Sequence, residues 1–144
     1  MELIEVILSK ENLNRAYKKV TANKGSSGVD GVTTEELGDY IRENKDAIVT
    51  SIRDRTYMPK PVRRVYIPKD NGKQRPLGIP TVLDRTIQQA IAQPIADTYE
   101  EIFSEYSYGF RPGRSCHDAI RQALCYLNDG YEWVVDIDIE QFFD

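Results

Sequence analysis

Asp136 and Asp138 have the types and spacing for metal chemistry. They alternate with apolar residues over 132–139, which predicts a strand. Trp133, Val135, Ile137 and Ile139 point one way; Val134, Asp136 and Asp138 point the other. The two carboxylates then stand about 7 Å apart on one face. Mg²⁺ takes one or two carboxylates and leaves its other positions to water and substrate phosphates. Taken alone, the pattern reads first as an exposed polar strand face. A second candidate is basic. Residues 53–75 hold eight bases (Arg53, Arg55, Lys60, Arg63, Arg64, Lys69, Lys73 and Arg75) against two acids, in a chain of net charge −4. Residues 132–144 hold five acids and no base. A basic block and an acidic strand in one chain suggest a phosphate partner and a metal held in separate places. Solvated surface charge is the plain alternative.

These residues need elements to position them. Residues 2–21 read as a helix, with Leu3, Ile4, Ile7, Leu8, Leu13 and Tyr17 on one side. A loop at 23–31 follows, with three glycines whose backbone can approach another chain closely. Thr33 and Glu36 form a capping box for a helix over 34–53, and Pro59-Lys60-Pro61 bars its continuation. Residues 62–68 and 74–79 flank Asp70-Asn71-Gly72-Lys73, a hairpin signal. A three-residue loop, 71–73, would set Lys69 opposite Arg75 so that both could grip one phosphate chain; a two-residue turn would part them. The longer loop is expected. Pro76 cannot donate to a ladder, so its strand is expected at an edge or irregular. Thr81 and Asp84 cap a helix over 82–103, which Pro94 should kink. A loop from Ser107 to Arg114 precedes Ser115 and Asp118, which cap a helix over 116–128; Asn128-Asp129-Gly130 ends it.

The 144 residues amount to one ordinary domain. With 40% hydrophobic and 29% charged residues, disordered and fibrous classes are excluded. No apolar run reaches membrane-span length, and the N-terminus is acidic where a signal or transit peptide would be basic. Cys116 and Cys125 fall on one helix about 13 Å apart, too far to bridge, and read as reduced thiols. One histidine and two cysteines exclude a structural zinc site within the chain. There is no internal repeat. An apolar strand running into Phe142-Phe143 predicts a piece of a longer protein.

The ordered set of motifs says more than any one. It comprises the loop at 23–31; Ile67-Pro68-Lys69-Asp70-Asn71-Gly72-Lys73-Gln74-Arg75-Pro76-Leu77-Gly78-Ile79-Pro80; Thr81-Val82-Leu83-Asp84-Arg85 with Gln88; Ser107 to Ser115; and Asp136 to Asp144. Over essentially the whole chain it resembles the N-terminal part of a group II intron reverse transcriptase, also called an intron maturase.

The resemblance implies an α+β fold: mainly helical, with a β-hairpin and a C-terminal strand, the fingers and first palm strand of a right-hand polymerase. The fingers would span 1–130, made of N-terminal helices and lid loop (1–53), basic hairpin (62–80) and helices (82–128). Residues 131–144 would begin a truncated palm. The parent would be an RNA-directed DNA polymerase using two Mg²⁺ ions. Asp138 would be its first metal-binding aspartate, with Ile139 offering a backbone carbonyl. Phe143 would be the steric gate against a ribose 2′-hydroxyl. Lys69 and Arg75 would hold the dNTP triphosphate. Asn23, Lys24 and Gly25 in the lid, with Arg63, Ile79, Pro80 and Arg85, would meet the template. Arg111, Pro112, Gly113 and Arg114 would lie near the template–primer end. Implied partners are group II intron RNA, an RNA template with DNA primer, and dNTP, with no membrane, in a bacterial-type cytoplasm or an organelle. The family's Tyr-x-Asp-Asp turn is absent, so this chain alone is expected not to polymerise, and its uncovered palm strand is expected to favour self-association. The alternative is an RNA-binding splicing cofactor whose polymerase is dispensable.

Overall fold

The computed structural model describes residues 2–68, 72 and 74–139. Its elements are α1 (Leu3–Ile7), α2 (Lys10–Ala22), α3 (Leu37–Arg53), β1 (Arg63–Pro68), β2 (Gln74–Ile79), α4 (Val82–Glu100) and α5 (Cys116–Asn128). The fold of the described residues is thus α+β, five helices and one antiparallel hairpin. No helix among the described residues is long and apolar enough to cross a membrane. The chain forms two compact units, residues 1–99 and 100–144.

In the first unit, the helix expected over 2–21 is two helices. The Ser9 hydroxyl accepts the Asn12 N–H at 3.2 Å and starts α2 afresh, which ends α1 before it. The apolar stripe of α2 then packs in two clusters. Ile7, Ala16 and Ala90 form one, with Leu13 against it. Val20, Leu37 and Val82 form the other, flanked by Tyr17, Ile41 and Leu83. Thr33 and Glu36 make the expected reciprocal capping bonds (3.0 and 3.3 Å) just before α3.

The helix α4 runs through Pro94. Proline has no N–H to give the carbonyl four residues back. That carbonyl, Ala90 O, accepts Asn12 Nδ2 at 2.7 Å instead. Asn12 Nδ2 also donates to Ile7 O, and Asn12 Oδ1 accepts Gln93 Nε2 at 2.7 Å. A buried amide pair therefore joins α1, α2 and α4 and satisfies the acceptor that the proline leaves open.

β1 and β2 pair with Val65 opposite Leu77, Ile67 opposite Arg75 and Pro68 opposite Gln74. This corrects the expected register: Arg75 faces Ile67, not Lys69. The observed pairing is offset by two residues from the expected one, so Arg75 keeps the same face of the hairpin. That face gathers Arg63, Val65, Ile67, Arg75, Leu77 and Ile79. Only Val65 and Ile79 are partly covered; the rest of both strands is exposed.

In the second unit, α5 begins at Ser115 with a complete capping box to Asp118, as expected, and buries no residue. The strand expected over 132–139 does not form among the described residues, where the only ladder is β1–β2. A strand needs a neighbour for its backbone donors and acceptors, and this stretch has none among the described residues: Trp133 is 93% exposed.

Candidate nucleic-acid interface

Most of the residues that the resemblance assigns to the template converge at the root of the hairpin. The loop at 23–31 lies against this root and the first turn of α4, and is tied to them three times. Arg63 Nε donates to Ser27 O at 3.0 Å. Arg85 Nη2 donates to Ser26 O at 2.7 Å. Lys60 Nζ pairs with Asp30 at 3.3 Å. Gly28 is buried, and a Cβ there would come within 2.6 Å of the Thr81 Cα. Only a glycine lets the loop backbone sit this close to the end of the hairpin.

This arrangement brings Asn23, Lys24, Gly25, Arg63, Ile79, Pro80 and Arg85 into one neighbourhood of the first unit. Asn23 and Lys24 are exposed, while Ile79 and Pro80 are half-buried. A cavity of about 310 Å³ opens beside it, lined by Val20, Asn23, Arg85, Gln88, Gln89 and Ala92. The family resemblance named Arg63 and Arg85; the structure adds that both guanidinium groups already hold loop carbonyls. Arg75 stands at the far end of the same hairpin face, exposed. Lys69 lies outside the described residues.

Beneath the root sits a carboxylate that the sequence marked only as a helix cap. Asp84 is 3% exposed. Its Oδ2 accepts the Thr81 hydroxyl at 2.6 Å and the Lys60 N–H at 3.2 Å, and its Oδ1 accepts the Tyr57 hydroxyl at 2.6 Å. Burial, then the bond to Asp84, pushes the Tyr57 phenol above its ordinary value. Nothing in the spacing of Tyr57, Lys60 and Asp84 announced this meeting.

In the second unit, Arg111 is engaged within its own loop. It forms an ion pair with Glu100 at 2.7 Å, donates to Ser104 O and Ser107 O, and lies over the Phe103 ring. The Arg111 bond lowers the Glu100 pKa. Arg114 donates to Glu105 O and covers Tyr108. Pro112 and Gly113 are exposed between them. These two arginines organise the loop, and the Arg111 side chain keeps only 7% of its surface exposed.

Asp136, Asp138 and Ile139 are exposed, and Asp138 Oδ1 accepts the Ile139 N–H at 3.0 Å. No group of three or more His, Cys, Asp or Glu side chains suited to a metal occurs among the described residues. A single carboxylate with its neighbour's carbonyl does not complete an Mg²⁺ shell, so the described residues do not by themselves fit the ion. Phe143 lies outside the described residues.

Residues 67–144 match the family described as reverse transcriptase (RNA-dependent DNA polymerase). Group II intron-encoded protein LtrA of Lactococcus lactis subsp. cremoris is 42% identical over 130 residues, covering 90% of this chain and 21% of LtrA. Protein YkfC of Escherichia coli is 39% identical over 148 residues, covering 99% of this chain and 39% of its own length. Nuclear intron maturase 1, mitochondrial, of Arabidopsis thaliana is 29% identical over 111 residues, covering 76% of this chain and 14% of its own length. The chain thus spans only a fifth to two-fifths of the first two relatives.

Proposed function

The chain belongs to the reverse transcriptase (RNA-dependent DNA polymerase) family, and from that premise we propose that it supplies the template- and nucleotide-binding fingers of a group II intron reverse transcriptase. The observation that carries this reading is the convergence of the 23–31 loop, Arg63, Pro80 and Arg85 on the root of an exposed basic hairpin. Guanidinium groups and backbone N–H groups that meet phosphate and sugar, and not base edges, carry no sequence readout, which suits a protein that must accept any template. Arg75, exposed along the same hairpin face, meets phosphates: with Lys69 those of an incoming nucleotide, and those of an RNA strand when no nucleotide is bound. Asp138 and Ile139 are the first contributors to the family's Mg²⁺ site and Phe143 its sugar gate; the metal, when bound by the complete set of ligands, would stabilise charge on the reacting phosphate. Residues 1–130 act as fingers and 131–144 begin the palm.

The same basic surface serves intron RNA. Relatives named as an intron-encoded protein and as an intron maturase support that second role.

The test is binding of this chain to a single-stranded RNA and to a primer–template duplex across a salt series, beside Arg75→Ala. Affinity should fall steeply with salt. Arg75→Ala should make the slope shallower by roughly 0.7 to 0.9 for each phosphate that goes unneutralised. Absence of binding at low salt, or an unchanged slope in the variant, overturns the assignment of phosphate contacts to the hairpin.

A further inference from the structure

The hairpin has almost nothing to lean on. Among its described residues only Val65 and Ile79 are partly covered. Its direction must therefore come from its root. Two segments make that root: the lead-in, 57–62, and the exit, Pro80-Thr81. Both are bonded to the same buried carboxylate. Tyr57 and Lys60 reach Asp84 from the lead-in, and Thr81 from the exit. Asp84 in turn is fixed in the first turn of α4, its own N–H donating to Thr81 Oγ1 at 3.0 Å. Its negative charge is favoured at that helix N-terminus.

We propose that Asp84 is a positioning residue that aims the basic hairpin, and with it Arg75, by clamping the lead-in and the exit of the hairpin to the start of α4. The proposal rests on the fingers reading above for its functional consequence, though not for its geometry. The chemistry requires a carboxylate. Three donors converge on two acceptor oxygens, and both oxygens are used. An amide turns one of them into a donor and sets it against the groups it must receive. Asp84→Asn keeps the volume and breaks one side of the clamp. Tyr57→Phe removes one bond and Thr81→Val two, the one to the carboxylate and the one from the Asp84 N–H; both leave the carboxylate, which gives a graded series should Asp84→Asn fold poorly.

The experiment has two readouts on the intact chain. The first is amide hydrogen exchange. Asp84→Asn should raise exchange at Lys60 and along β1 and β2 by about tenfold or more, while α2 keeps its protection. Equal hairpin protection in the variant and the parent sequence overturns the proposal, whether or not RNA binds. The second is the salt slope for a single-stranded RNA. A variant that merely unfolds part of the population weakens binding by one factor at every salt concentration and keeps its slope. A variant whose hairpin is mis-aimed neutralises fewer phosphates and should have a shallower slope, as is expected of Arg75→Ala. A shallower slope with intact α2 protection supports positioning; an unchanged slope with affinity tracking the folded fraction overturns it. If the unaltered chain binds no RNA, the fingers reading fails and hydrogen exchange alone decides for Asp84.

Discussion

Residues 2–99 and residues 100–139 are built on opposite terms. The first region turns polar groups inward: Asn12, Thr81, Asp84, Thr86 and Gln93 are buried beside Leu37 and Val82. Each of these polar side chains bonds across or along the helices. The second region holds itself by local devices. They are a capping box at Ser115, the Arg111 node, and ring contacts of Tyr126 with Tyr106 and Tyr131. Its large side chains face outward; Ile120, Leu124 and Leu127 of α5 are all exposed. An apolar stripe, then, states which face of a helix wants cover, and not whether the cover is present. The stripe of α2 is covered by α4, and the stripe of α5 is not covered among the described residues.

The most severe challenge to this contrast is one truncation made in both regions. Leu37→Ala removes a fully buried side chain and should cost about 2–5 kcal/mol of unfolding free energy. Leu124→Ala, half-exposed on α5, should cost within about 0.5 kcal/mol. Denaturant midpoints measure both, and equal losses would mean that α5 is covered after all.

A finer contrast lies within the loop at 23–31. Gly28→Ala drives a Cβ to 2.6 Å from the Thr81 backbone, which cannot move without moving the hairpin exit. A loss of about 1–3 kcal/mol is expected, with faster proteolysis of the loop. Gly25→Ala meets only the Arg85 guanidinium tip, at 2.6 Å. That flexible end can turn aside, so the loss should stay near 0.5 kcal/mol. Reversed magnitudes would show that the Arg85 bond, and not the close packing at Gly28, holds the loop.

The smallest effect is a pH dependence. The Tyr57 phenol is held above its ordinary value, near 10, chiefly by burial and then by its bond to Asp84. A raised folded-state pKa contributes stability that is fully present below the unfolded value and is lost as pH climbs through the folded one. The first region should therefore weaken above about pH 10. Tyr57→Phe should flatten that alkaline decline while leaving the second region's melting unchanged. A decline of the same steepness in Tyr57→Phe would assign it to other groups.

How much could be read in advance divides along a physical line. The caps at Thr33, Thr81 and Ser115, the strand residues of the hairpin and the range of α5 were all legible. Each depends on a side chain reaching a backbone group three residues away, or on short apolar runs flanking a cluster of turn-forming residues. The restart of α2 at Ser9 obeys the same local rule and could have been read, but the apolar run across it hid the cap. The family resemblance was legible as well, because it lives in the order of motifs.

The candidate site was half legible. The basic block and the family resemblance named Arg63 and Arg75, and the resemblance alone named Arg85, but only the fold showed that two of them hold Ser27 and Ser26 carbonyls and that Arg75 faces Ile67. Local sequence dictates the helices, the hairpin and the charged groups they carry, since those follow from neighbours a few bonds apart. Long-range packing dictates the rest: that Asn12 serves the carbonyl opened by Pro94, that Asp84 joins both ends of the hairpin, and that residues 132–139 form no ladder among the described residues. Those outcomes turn on whether a partner tens of residues away arrives, and no local spacing reports that.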